Sequence, residues 1–130
     1  MEMTVKFPGG KKVDVDYGGF TIRTDQPKED GGEGSAPSPF ELFIASIAAC
    51  AGYYALNFCL TRNLATDGMG ISLKAERASD GKMIREIIID VRPPKGFPKE
   101  YVPALQRSVE SCTVKKHIQN PPQFLVRMAV

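Results

Sequence analysis

The chain has 130 residues, of which 42% are hydrophobic and 25% charged, and its formal net charge is +2. This length predicts a single domain over residues 1–130, with one hydrophobic core. The composition is typical of a soluble globular protein, and so small a net charge gives no argument for nucleic-acid binding.

The first residues lack the basic and apolar stretches of a secretory signal, so we expect a cytoplasmic protein. Thiols are kept reduced in that compartment. The chain has three cysteines, Cys50, Cys59 and Cys112, and this odd number does not fit a disulfide framework. Burial in a core, metal binding and redox chemistry are the roles left open to them.

The N-terminal part, residues 3–24, predicts three short strands of alternating apolar and polar residues. Gly18 and Gly19 separate the second strand from the third, and two consecutive glycines are typical of a hairpin turn. Residues 25–37 are rich in Gly, Pro and acidic side chains, which predicts a surface loop. A loop this long is either functional or a tolerated excursion.

A long helix is predicted to begin after Ser38, with Pro39 at its first position and Glu41 completing a capping box. Apolar and small residues continue to about Leu60, so the helix should be buried on nearly all sides. A small sheet cannot cover such a helix, and we expect a second subunit to do so. A membrane span is the alternative, which the richness in Ala, Ser and Gly disfavours.

The second half predicts a hairpin over 69–78 and 83–91, followed by an amphipathic helix over 98–111. A short helix over 113–118 and a terminal strand over 124–130 complete the chain. Groups of strands interrupted by two unequal helices indicate an α+β fold with antiparallel sheet.

Cys50 and Cys59 both lie in the long predicted helix, nine residues apart. At about 100° of rotation per residue they face opposite sides and cannot pair with each other. Cys112 lies at the end of the second helix, so the tertiary fold could bring it to Cys50. Cys59 is expected to be a buried structural residue.

These segments resemble a known family. Residues 38–50, SPFELFIASIAAC, resemble the SPxELLLASLAAC signature that opens the central helix of OsmC/Ohr proteins. Residues 111–114 resemble their second cysteine box, and 24–27 with 31–32 resemble the DxP…GG loop of one branch. The resemblance covers about residues 13–130.

The resemblance implies an intertwined homodimer in which antiparallel sheets wrap two long central helices. It also implies a thiol-dependent peroxidase of organic hydroperoxides or related peroxides, acting in oxidative-stress defence. Cys50 would attack the peroxide, and its sulfenic acid would condense with Cys112. A cellular dithiol, a lipoyl protein or a small thiol, would reduce the disulfide. Neither a cofactor nor a metal is expected, and no nucleic-acid or membrane partner.

The best-known peroxidases of this family activate the thiolate with an N-terminal arginine and with a glutamate ten residues before the first cysteine. Phe40 occupies that position here, and Glu41 is the neighbouring carboxylate. Glu41 is therefore a candidate for this role, with helix capping as its alternative. Arg23 is the candidate arginine, and an ordinary exposed strand residue is its alternative.

A binding protein of the same fold is the main alternative function, with an apolar small molecule at the dimer interface and cysteines that are reactive but not catalytic. A cation beside Cys50 would favour the enzyme, and a neutral buried thiol the binding protein. A purely structural dimerisation module is the third hypothesis. His117 is the single histidine, and its spacing from the cysteines does not match a structural zinc site. We expect it to be solvated.

Overall fold

The computed structural model describes residues 1–129. They form an α+β fold with two small antiparallel sheets and three α-helices, as the sequence predicts. The chain divides into two compact units, Met1–Ala45 and a second that begins at Ser46. The prediction of a single domain over residues 1–130 stays a prediction.

The first unit contains a three-stranded sheet of β1 (Thr4–Gly9), β2 (Lys12–Tyr17) and β3 (Phe20–Thr24). The strands pair in chain order, and both pairs are antiparallel. Gly18 and Gly19 join β2 to β3 with φ of 54° and 83°. These left-handed values suit glycine, because it has no Cβ, and they confirm the predicted hairpin.

The loop after β3 is organised around a carboxylate. Asp25 is fully buried, and its carboxylate accepts hydrogen bonds from the backbone N–H groups of Gln26 (2.8 Å), Glu33 (3.3 Å) and Ser35 (3.1 Å). The Ser35 hydroxyl donates a further bond of 2.6 Å. A 3₁₀ turn over Lys28–Asp30 also lies in this loop. The predicted surface loop is therefore ordered by its own polar contacts.

Gly32 is required at its place in this loop by close approach of the backbone. A Cβ added there would lie 2.0 Å from the carbonyl oxygen of Gln26 and 2.9 Å from Oδ1 of Asp25. Neither neighbour is the free end of a flexible side chain, so any larger residue would displace the loop from Asp25.

The long helix α1 runs from Pro39 to Thr61 and begins with the predicted capping box. The Ser38 N–H donates to Oε2 of Glu41 (2.8 Å), and the Glu41 N–H donates to Oγ of Ser38 (3.2 Å). The single chain buries only part of this helix, so burial on nearly all sides, which we expect from a second subunit, stays a prediction. Its buried residues lie along one stripe: Ile47, Ala51, Ala55, Phe58 and Cys59.

The second unit continues with a hairpin of β4 (Gly70–Arg77) and β5 (Ile84–Arg92), paired antiparallel. The helix α2 (Val102–Glu110) follows a 3₁₀ turn over Lys99–Tyr101. The short helix α3 (Thr113–Gln119) begins directly after Cys112. The buried core cluster is formed by α1 and α2 residues: Ala51, Ala55, Phe58, Leu105 and Val109.

The predicted terminal strand over 124–130 is wrong for residues 124–129, which have no regular secondary structure, and Val130 lies outside the described residues. Within the described residues, the sheet of the second unit consists of β4 and β5 alone. The segment pairs with neither strand, so its apolar side chains are left 71–87% exposed: Phe124, Leu125, Val126 and Met128.

Candidate functional site

The two cysteines singled out from the sequence lie together in the second unit. Cys50 is partly buried in the middle of α1, and Cys112 is 1% exposed between α2 and α3. The Cys112 thiol donates a hydrogen bond to the Cys50 sulfur. Both are free thiols.

The surroundings of Cys50 favour its thiolate. Burial by itself raises the pKa of this thiol, because a charged group is costly to desolvate. Hydrogen bonds from the Cys112 thiol and from the backbone N–H groups of Val114 and Thr113 act in the opposite direction. Together they outweigh burial, and the pKa of Cys50 lies below its ordinary value.

The surroundings of Cys112 favour its neutral thiol. Burial raises the pKa of Cys112, and the hydrogen bond to Cys50 raises it further. The backbone N–H groups of Lys115 and Val114 oppose this rise without reversing it. The pair therefore combines one thiol of lowered pKa with a neighbouring thiol of raised pKa.

Three residues outside the sequence-based candidates connect the elements of this site. The Tyr54 hydroxyl and the Thr113 hydroxyl lie 2.7 Å apart, which joins α1 to the first residue of α3. The Ser108 hydroxyl donates to the Tyr54 carbonyl oxygen at 3.2 Å, which joins α2 to α1. The sequence carried one signal for Tyr54: it follows Cys50 by four residues and shares its helix face.

Glu41 and Arg23, the candidate activating residues, belong to the first unit. The Glu41 carboxylate is engaged with the Ser38 N–H in the capping box. Arg23 lies at an exposed position of β3, opposite Asp14 on β2. The capping role of Glu41 is confirmed, whereas an activating role for either residue stays a prediction.

Cys59 and His117 lie apart from the pair's hydrogen bonds. Cys59 is fully buried, and burial raises its pKa against the opposing charge of Arg62. His117 is exposed on α3, with Nδ1 2.7 Å from the carbonyl oxygen of Thr113. Among the described residues, no group of three or more His, Cys, Asp or Glu side chains could hold a metal ion.

A cavity of about 570 Å³ lies in the second unit, between β5, α2 and α3. Ile47, three residues before Cys50, and Val109, three residues before Cys112, both line it. Lys115 lines it as well, and its backbone N–H acts on the Cys112 sulfur. The cavity thus borders the chain segments that carry both cysteines, and most of its wall is apolar.

Solved structures with this fold include a protein from Psychrobacter arcticus 273-4 named for an osmotic stress and detoxification response. It is 20% identical, with a TM-score of 0.74 over 88% of this chain and 85% of that one. An OsmC-like protein from Mycoplasma pneumoniae is 16% identical, with a TM-score of 0.68 over 92% and 87%. An organic hydroperoxide resistance protein OsmC from Legionella pneumophila is 20% identical, with a TM-score of 0.59 over 92% and 90%.

At these identities the structures show a common fold. No curated protein matches the chain in sequence. The family model for OsmC-like proteins matches residues 32–127, which is most of the chain and includes both Cys50 and Cys112. The resemblance drawn from the sequence is therefore confirmed, and the chain belongs to the OsmC-like protein family.

Proposed function

We propose that this protein is a thiol-dependent peroxidase that reduces organic hydroperoxides, with Cys50 as the nucleophile and Cys112 as the resolving thiol. The observation that carries the proposal is the hydrogen-bonded pair with opposite pKa shifts, lowered at Cys50 and raised at Cys112. A thiolate is the form that attacks a peroxide, and a neutral thiol beside it is available for the second step.

The first step is attack of the Cys50 thiolate on one oxygen of the hydroperoxide. The O–O bond breaks, the sulfur becomes a sulfenic acid, and the leaving alkoxide takes a proton to become an alcohol. In the second step the Cys112 sulfur displaces the sulfenic hydroxyl, which leaves as water, and a disulfide forms. A dithiol, supplied by a lipoyl protein or as a small thiol, then returns both cysteines to thiols and is itself oxidised to a disulfide.

The cavity supports the proposed substrate class, although it is lined by neighbours of Cys50 and Cys112 and not by the cysteines themselves. Its volume of about 570 Å³ lies in the range of small-molecule sites, about 300–1,000 Å³. Apolar side chains such as Ile47, Leu105 and Val109 suit the organic part of a hydroperoxide better than hydrogen peroxide. The protein from Legionella pneumophila named for organic hydroperoxide resistance adds support from a shared fold.

A small-molecule binding protein is the second candidate, and the same cavity favours it. In that case the cysteines would react with peroxide but would not catalyse its repeated reduction. Among the described residues, no cation contributes to the lowered pKa of Cys50, which arises from hydrogen-bond donors. The lowered pKa of Cys50 nevertheless supports the enzyme more than the binding protein, for which a neutral Cys50 would suffice.

We further propose that the protein acts in the cytoplasm as a homodimer. The support for a dimer is the exposed apolar surface of the chain, both on α1 and at residues 124–129. A second copy of the chain could cover α1 and provide a sheet edge for the terminal segment.

Multiple turnover tests the proposed function. The reduced protein is mixed with cumene hydroperoxide and an excess of dihydrolipoamide, and the alcohol formed is counted per subunit. We expect tens of turnovers and slower consumption of hydrogen peroxide under the same conditions. One turnover or fewer with every dithiol tried, together with saturable binding of cumyl alcohol, would contradict the enzyme and favour the binding protein.

A further inference from the structure

We infer that Tyr54 is a positioning residue of the cysteine pair, whose hydroxyl holds the start of α3 so that the Thr113 and Val114 N–H groups face the Cys50 sulfur. The placement of α3 stands on geometry alone, and its catalytic meaning rests on the proposed function. Tyr54 itself does not bond to either sulfur, so its effect on Cys50 would pass through the backbone of α3.

Two hydrogen bonds of Tyr54 hold the chain on either side of Cys112. The bond from Ser108 to the Tyr54 carbonyl fixes the chain four residues before Cys112, at 3.2 Å. The bond between the Tyr54 and Thr113 hydroxyls fixes it one residue after Cys112, at 2.7 Å. One residue of α1 thus anchors the turn that carries Cys112, one helical turn from Cys50.

Few other contacts hold α3 in place within the described chain. It has seven residues, and none of them is buried. Packing therefore contributes little to the position of its first turn, and isolated helices of this length are unstable in water. A single side-chain hydrogen bond to α1 can have a large effect on where the N–H groups of Thr113 and Val114 lie.

Several titratable groups surround this turn, and a test must distinguish their titration from that of Cys50. Cys112 bonds directly to Cys50, and His117 on α3 lies against the Thr113 carbonyl oxygen at 2.7 Å. Lys115 and Lys116 follow on α3, and Glu110 lies at the end of α2. A readout specific to the Cys50 sulfur is therefore needed, rather than total thiolate absorbance.

The test is the pH dependence of iodoacetamide alkylation at Cys50, followed by peptide mass spectrometry on the full-length protein. Tyr54→Phe and Thr113→Val each remove one hydroxyl of the bond. We expect the apparent pKa of Cys50 to rise by about one unit in both, which is about tenfold less thiolate below that pKa. Tyr53→Phe, which removes the neighbouring exposed hydroxyl, and Thr113→Ser, which keeps the bond, should match the wild type.

A His117→Gln background repeated at each pH confirms that the shift belongs to the sulfur. A pKa of Cys50 unchanged in both Tyr54→Phe and Thr113→Val would overturn the inference, as would equal shifts in Tyr54→Phe and Tyr53→Phe. Two hydroxyl-removing variants are used so that a folding failure in one leaves the other decisive. Alkylation needs no peroxide, so a wild type that fails to reduce cumene hydroperoxide would contradict the proposed function and leave this result standing.

Discussion

The two sulfurs of the pair lie in environments that shift their pKa values in opposite directions. Cys50 receives hydrogen bonds from one thiol and two backbone N–H groups, and these lower its pKa despite burial. Cys112 gives up its proton less readily because burial and its contact with Cys50 both raise its pKa. This asymmetry supports the proposed roles of Cys50 as the attacking thiol and Cys112 as the resolving thiol.

The division of labour predicts different single-turnover behaviour for two serine variants. Cys50→Ser should consume no cumene hydroperoxide even in the first turnover, because the nucleophile is absent. Cys112→Ser should consume about one equivalent per subunit and then stop as a sulfenic acid. Rapid-quench measurement of residual peroxide, with dimedone trapping of the sulfenic acid, checks both. Equal losses in the two variants would be inconsistent with these roles.

Residue spacing excluded a bond between Cys50 and Cys59, but it could not predict that Cys50 and Cys112 lie together. The opposite faces of Cys50 and Cys59 follow from helix geometry alone. Contact between Cys50 and Cys112 depends on the crossing of α1 with the turn between α2 and α3. The Tyr54–Thr113 hydrogen bond was not predicted either, because its partners are 59 residues apart in sequence and meet only in the tertiary fold.

At the level of elements, the start of α1 separates the two explanations for Glu41. Removal of its carboxylate in Glu41→Ala should lower the free energy of unfolding by about 1 kcal/mol, the usual effect of losing a helix cap. Urea denaturation measures this, with Glu2→Ala as an exposed control. If Glu41 only caps the helix, the rate with cumene hydroperoxide should stay within about twofold of wild type. A tenfold or greater loss of this rate in a fully folded variant would instead support an activating role.

The loop after β3 should respond to acid through Asp25. Hydrogen bonds from Ser35, largest among the causes, hold the pKa of Asp25 at about 2, below its unfolded value of about 3.9. A lowered folded pKa contributes stability above the unfolded value, and this contribution is lost as the pH falls from about 4 towards 2. Asp25→Asn should be less stable than wild type at pH 7 and should converge with it over that range.

Urea midpoints measured between pH 2 and 7 check this behaviour. Asp30→Asn, an exposed carboxylate of the same loop, is the matched control and should follow the wild type. A constant difference between Asp25→Asn and wild type at every pH would show that the carboxylate's charge contributes nothing to the loop.

Sequence patterns predicted the local elements well and the terminal strand poorly. The β2–β3 hairpin and the capping box of α1 depend on neighbours within a few residues, so their signals are local. A strand requires a partner, and residues 124–129 find none in their own chain. The apolar residues there described a strand-forming segment without saying which chain would supply the neighbouring strand.

At the scale of the whole molecule, the chain exposes apolar side chains on α1 that a binding partner would bury. The helix α1 is long and apolar enough to cross a membrane by length and composition, which is weak evidence because core helices of soluble proteins share both properties. Tyr53, Leu56 and Leu60 are each more than a third exposed on it. Contiguous apolar surface of this kind marks an interaction site.

We therefore predict a stable homodimer in detergent-free buffer at micromolar concentration. Leu56→Arg should weaken it at least tenfold, because it places a charge on the apolar face of α1. Ala65→Arg adds the same charge to an exposed loop and should leave the dimer intact. Sedimentation velocity distinguishes these outcomes. A folded wild-type monomer, or a protein recovered only with membranes, would refute the prediction.

Peptide mapping shows whether a peroxide joins the sulfurs of Cys50 and Cys112. The reduced protein is treated with one equivalent of cumene hydroperoxide, the remaining thiols are alkylated, and the peptides are identified by mass spectrometry without reduction. We expect a Cys50–Cys112 disulfide and a free, alkylated Cys59. Three free thiols after the peroxide is consumed, or a bond from Cys50 to Cys59, would contradict it.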